Sequence, residues 1–183
     1  MIDLNISSST WFPIVTLIIG TFLKYFLDIL NEKRTSRREK EIRKEQRLDT
    51  MNLRRSEFQR ATLLQLQDAT HSVTRNTIRS HIFYIDKYKT TGRWQEDNVP
   101  SDIDEGFRKA QQEVFIYTSR VRDDEIRHFA SSLTELASKA VSSRTPNEGS
   151  STIKEIYNIS QTLNEKIGLA LRNLEQEEDS IAK

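Results

Sequence analysis

The hydrophobic pattern divides this chain into unlike parts. Residues 11–23 read Trp-Phe-Pro-Ile-Val-Thr-Leu-Ile-Ile-Gly-Thr-Phe-Leu, an unbroken uncharged run. Residues 33–47 hold one large apolar side chain, Ile42, among eight bases and three acids. After residue 48 apolar positions return at the three-four spacing of amphipathic helices. The first such stripe is Met51, Phe58, Leu63, Leu66, Ala69, Val73, Ile78, Ile82 and Ile85. The second is the most regular: Ile103, Phe107, Ala110, Val114, Tyr117 and Val121. The third is Ile126, Phe129, Leu133, Leu136 and Ala140, and the last runs from Ile156 through Ile159, Leu163, Ile167 and Ala170 to Leu174. Between the second and third stripes the phase jumps by five residues, which turns the apolar face by roughly 140° and places a break near residues 122–124. No stretch alternates with the period of a strand.

Punctuation agrees with this division. Residues 21–90 contain neither glycine nor proline. Residues 90–100 and 142–151 carry turn formers and read as loops. Ser101-Asp-Ile-Asp104 has the spacing of a capping box, and Asp123-Asp-Glu125 are acids of the kind that open a helix. Residues 48–51 are the expected place for the long first helix to bend or restart.

The expected fold is all-α: a single N-terminal transmembrane helix, a basic helical stalk and a cytosolic up-and-down helical bundle. The expected divisions are an extracytoplasmic tail at 1–10, the span at 11–31, the stalk at 32–47, the bundle at 48–178 and a tail at 179–183. Bundle helices are expected at about 48–89, 102–122, 124–142 and 151–176. A span needs about 20 mostly apolar residues. Residues 11–30 supply them only if Lys24 snorkels to the interface and Asp28 pairs with it or sits among headgroups. Trp11, Tyr25 and Phe26 sit as interfacial aromatics do, and Pro13 suits a first helical turn. A cleaved signal would need a basic N-terminus and small residues at a cleavage point, and neither is present. A buried or interfacial helix is the other rival. The bases after the run direct the bundle to the cytosol of a cell-membrane protein.

Composition narrows the chemistry. The 183 residues carry 28 Lys+Arg and 27 Asp+Glu, a net charge of +1, which argues against nucleic acid as the partner. With no cysteine, thiolate catalysis and cysteine metal sites are excluded. The three histidines are scattered. Glu125-Ile-Arg-His128 has the spacing of a di-iron motif, but only one copy exists where two are needed. No phosphate loop, nucleophile elbow or zinc motif is present, so no catalytic, cofactor or metal residue is assigned and the chain is read as a non-enzyme.

Three sets of residues remain as contact candidates. Thr16, Gly20, Lys24 and Asp28 recur every four residues, and the Thr16–Gly20 pair has the small-xxx-small spacing that lets membrane helices approach. Lys33, Arg34, Arg37, Arg38 and Lys40 are placed to meet anionic lipid headgroups, though a plain solvated stalk accounts for them too. Trp94, in the first loop, either anchors a partner or tucks over the end of the bundle. The leading expectation is a membrane-anchored interaction protein that scaffolds, recruits or regulates a protein partner or a second copy of itself. An oligomerising membrane effector of toxin, immunity or antiphage type is the alternative, and an enzyme or ligand-binding bundle without a motif is the third. The layout of apolar start, basic stalk and Arg-Val-Arg-Asp-Asp-Glu between helices resembles that of many bacterial membrane-anchored proteins and specifies no family.

Overall fold

The computed structural model describes the backbone of residues 8–181 and the side chains of residues 15–179. The described residues are all-α, with four helices and no strand: α1 (Ser8–Thr91), α2 (Ser101–Thr118), α3 (Asp124–Val141) and α4 (Pro146–Ile181). The chain forms two compact units, Met1–Met51 and Asn52–Lys183. Residues 48–51 are helical throughout, so the helix does not restart there.

The described residues of the first unit are helix alone. Their apolar side chains are exposed over most of the circumference, with Leu17, Phe22 and Tyr25 each about 70% exposed (69%, 73% and 68%). Thr21 returns its hydroxyl to the Leu17 and Ile18 carbonyls, so it adds little polarity to this surface. Further along, Glu39 and Arg43 pair at 3.1 Å across one turn. Among the described residues no helix is long and apolar enough to cross a membrane. The side chains of residues 11–14, which begin the expected span and include Trp11 and Pro13, lie outside the described residues.

The second unit is a four-helix bundle. Adjacent helices run antiparallel, as cross-contacts show. Arg79 of α1 meets Asp102 at the start of α2, while Gln59 meets Arg120 just beyond its end. Gln111 of α2 reaches Ser138 near the end of α3. Glu125 at the start of α3 meets Lys166 of α4, and Arg60 of α1 meets Glu178 near the α4 C-terminus. The core is one continuous cluster that includes Leu66, Val73, Val114, Ile126, Leu133, Ile156, Leu163 and Ile167.

The α2 stripe packs inward as its spacing requires, with Ile103, Phe107, Ala110 and Val114 buried, but α2 ends at Thr118 rather than near 122, and Val121 is buried from the loop that follows. On α1 the buried row differs from the apolar stripe. Ser56, Leu63, Leu66, Thr70, Val73, Thr77 and Ser80 fill it, while Met51, Phe58 and Ile82 are exposed. Three of these hydroxyls are tolerated inside because they bond within their own helix. Thr70 donates to Gln67 O, Thr77 to Val73 O and Ser80 to Asn76 O. On α3 the small residues Ala130, Ala137 and Ala140 take the central row with Ile126 and Leu133. Phe129 and Leu136 are displaced to its flank and half-buried. Small central side chains let α3 approach α4 closely.

Helix ends also depart from expectation. The Ser101–Asp104 capping box does not form. Pro100 is the N-cap, and its carbonyl receives the N–H groups of Ile103 and Asp104. Asp102 turns away to Arg79. A reciprocal cap forms instead before α4, inside the segment expected to be loop. Glu148 N–H donates to Thr145 Oγ1 at 3.2 Å, and Arg144 N–H donates to the Glu148 carboxylate at 2.9 Å. With Pro146 as the first helical residue, α4 therefore begins five residues earlier than the apolar stripe suggested. Asp123 caps α3 by accepting from Ile126 N–H at 3.0 Å.

Candidate functional site

In the first unit, Thr16, Gly20, Lys24 and Asp28 are all exposed along one helix. Lys24 and Asp28 form no ion pair among the described residues, so the pairing expected between them is absent. A Cβ added at Gly20 would meet nothing within 4 Å. Lys33, Arg34, Arg37, Arg38 and Lys40 are likewise exposed, and none of their charges is paired among the described residues. Among the described residues nothing encloses a substrate around these side chains.

Trp94 takes the place at the bundle end. Its indole N–H donates to the Ser143 carbonyl at 2.8 Å. Its ring packs against His81, Tyr84 and Tyr88 of α1 at centroid distances of 5.8, 5.7 and 6.2 Å. Next to it, Gln95 Nε2 donates to Val141 O at 2.7 Å while its own backbone holds a positive φ of 57°. The loop is thus fastened to the end of α3 by two side chains. Burial is the first cause that raises the Tyr84 phenol, and the nearby Asp104 charge adds to it.

His81 lies at the centre of this cap and sequence spacing gave it no role. Its Nε2 and the Ser150 hydroxyl stand 3.2 Å apart, which ties α1 to α4. Burial pushes the imidazole below its ordinary value, so the ring is neutral at pH 7. A serine beside a neutral histidine is the first element of a nucleophilic pair. Here the other ring nitrogen, Nδ1, is buried without a hydrogen-bond partner, so no third group orients the ring as a base. The pair is a fastening between helices. Neither His71 nor His128 joins it, and both are exposed. Among the described residues no group of three or more His, Asp or Glu could hold a metal ion.

At the opposite end of the bundle, Gln59 of α1 clamps the α2–α3 loop. Its Oε1 accepts from Arg122 N–H and its Nε2 donates to Arg120 O. Val121 between them is buried as the loop's plug. A cleft of about 480 Å³ opens here, lined by Arg54, Arg55, Phe58, Gln59 and Arg122. Sequence reading missed it because Gln59 and Arg122 are 63 residues apart and neither belongs to a motif. A broader groove of about 680 Å³ runs between α2 and α3 beside Phe115, a side chain 78% exposed.

No family model, no curated protein and no solved structure matches this chain.

Proposed function

We propose that this protein is a single-pass membrane-anchored interaction protein whose helical bundle stands in the cytoplasm and scaffolds or recruits a protein partner. One observation carries the reading: ten large apolar side chains between Val15 and Leu30 are exposed and cover most of the circumference of their helix, leaving the side of Thr16, Gly20, Lys24 and Asp28 polar. A helix with so broad an apolar surface is at home in lipid or in a large protein core, whereas a narrow amphipathic stripe would suit one docking face. The unpaired bases that follow support a cytosolic position for the bundle and contact with anionic headgroups. The bundle presents clefts and caps but no assembled reaction centre, which favours binding over catalysis. The test is fractionation of the full chain against a chain lacking residues 1–31. The full chain should stay with membranes through alkaline carbonate and the shortened chain should not. A shortened chain that remains membrane-bound would overturn the anchor.

A second reading is favoured by Gly20. Nothing in its own helix requires a side chain that small, which suits close approach by another membrane helix. On that reading Thr16, Gly20, Lys24 and Asp28 line a self-association face, and the protein acts as an oligomerising effector. Dye leakage from liposomes that disappears in Gly20→Leu and Lys24→Leu would support it. Leakage that survives both would remove the stripe as its cause.

A further inference from the structure

Arg43, Arg60, Arg79, Arg93, Arg108 and Arg127 each pair with a carboxylate. Arg54, Arg55 and Arg122 are among the described arginines that form no ion pair, and the fold gathers these three into one cleft whose own lining contains no acid. An adjoining groove shares Arg55, Gln59 and Arg122 and is also lined by Asp123, Glu125 and Glu177. The three side chains are exposed, so solvent screens their mutual repulsion in part, and an anion seated among them would relieve the remainder. Two of the neighbouring acids already have partners of their own. Asp123 is occupied as the α3 cap and Glu125 by Lys166 at 2.5 Å. The loop that carries Arg122 is held in place by Gln59 through both ends of its amide and by buried Val121. The cleft also has an apolar wall, Phe58, which is 53% exposed on a bundle helix.

We propose that this cleft binds a phosphate ester, with its oxygens held by Arg54, Arg55 and Arg122 and its organic part against Phe58. Guanidinium forks match phosphate oxygens two at a time, which lysines in their place would not do. At about 480 Å³ the cleft is larger than an inorganic ion requires and falls in the range of small-ligand sites. Such an ester could belong to a soluble metabolite or to a lipid headgroup. The whole cleft lies within the bundle unit, so the proposal does not depend on the membrane anchor.

Titration calorimetry of the detergent-solubilised full chain tests this, with pyrophosphate, glycerol phosphate and short-chain phosphatidic acid as probes. At least one probe should bind saturably, and more weakly as salt rises. Arg55→Gln and Arg122→Gln should each weaken that binding about tenfold or more. Arg122→Lys should recover only part, and Arg108→Gln, which removes the same charge on α2, should leave binding unchanged. Preference for phosphatidic acid over glycerol phosphate identifies a lipid source, and equal or better binding of the water-soluble probes identifies a metabolite. Absence of binding by all three probes, equal loss in Arg108→Gln, or equal competition by citrate would overturn the proposal.

Discussion

Gln59 and Arg122 are joined through the backbone: the Gln59 side-chain oxygen accepts the Arg122 N–H at 3.1 Å. The same amide donates from Nε2 to the Arg120 carbonyl at 3.0 Å, so one side chain satisfies a donor and an acceptor on either side of Val121. Removing both bonds with Gln59→Leu should destabilise the bundle by about 1–2 kcal/mol. Gln59→Glu keeps an acceptor and loses the donor, so it should fall between the two. Urea unfolding followed by circular dichroism reads the order. A Gln59→Leu bundle as stable as the parent would show that the loop is held by Val121 alone.

Gly149 faces the cap at the other end. A Cβ added there would stand 2.9 Å from both His81 Cε1 and Ser143 Oγ. The His81 ring is held by Ser150 on one side and Trp94 on another, so it has little room to yield. Although alanine favours helix more than glycine does, Gly149→Ala should lower stability by about 1–3 kcal/mol through overpacking. An increase in melting temperature would mean that the cap repacks freely.

His81 also makes the cap sensitive to pH. Its folded pKa lies below the ordinary 6.5 because burial disfavours the charged ring. The unfolded chain therefore binds the proton more readily than the folded one. The stability this difference supports is complete above pH 6.5 and is lost as pH falls from 6.5 through the folded value. The charges facing this end include Asp104, Lys87 and Asp97, the last two paired at 3.0 Å. His81→Gln should remove the part of the slope that belongs to this interval. A variant with the parent's pH profile would assign the slope to other groups.

Arg60 and Glu178 meet at 2.7 Å with side chains 36% and 23% exposed, and they hold the acidic end of α4 against α1. Arg60→Gln leaves a largely buried carboxylate, one of whose oxygens already lacks a partner. The expected loss is about 1–2 kcal/mol, below that of a fully buried pair. Replacing both residues by methionine should recover part of it, because no charge is then left unpaired. Hydrogen exchange at the α4 C-terminus should rise in the single variant and fall back in the double.

Thr77 tests the hydroxyl-bearing core. It is 1% exposed and its Oγ1 donates to the Val73 carbonyl at 2.8 Å. Thr77→Val keeps the shape and leaves that carbonyl in its helical bond, so stability should change by less than about 1 kcal/mol. Thr77→Ala opens a cavity and should cost more, about 1–2 kcal/mol. Equal losses would make the hydroxyl, rather than its volume, the stabilising element.

Helices were legible wherever the signal was local. The α2 stripe from Ile103 to Val114, the break before Asp124 and the absence of strands among the described residues follow from spacing along a few turns, which is how helices form. The cap Thr145-Pro-Asn-Glu148 reads as loop, although threonine and glutamate three apart around a proline carry its signal. The apolar stripe had drawn the helix start downstream of it. Hydropathy misled on α1, since Thr70, Thr77 and Ser80 are buried and Phe58 and Ile82 are not. A hydroxyl that bonds its own helix enters a core without the penalty its polarity suggests.

The sequence by itself determined the all-α class and the apolar run with its basic sequel, but not the continuity of the first helix through residues 48–51. What it determined depends on residues within a turn or two of one another. Tertiary structure decided which rows face inward, the seat of Trp94 on His81, Tyr84 and Tyr88, and the gathering of Arg54, Arg55 and Arg122 beside Gln59. Those relationships join positions tens of residues apart, and their distances exist only once α1 to α4 pack around a common core. The apolar run at residues 11–23 was visible from the first line, whereas the arginine cleft came into being only with the bundle.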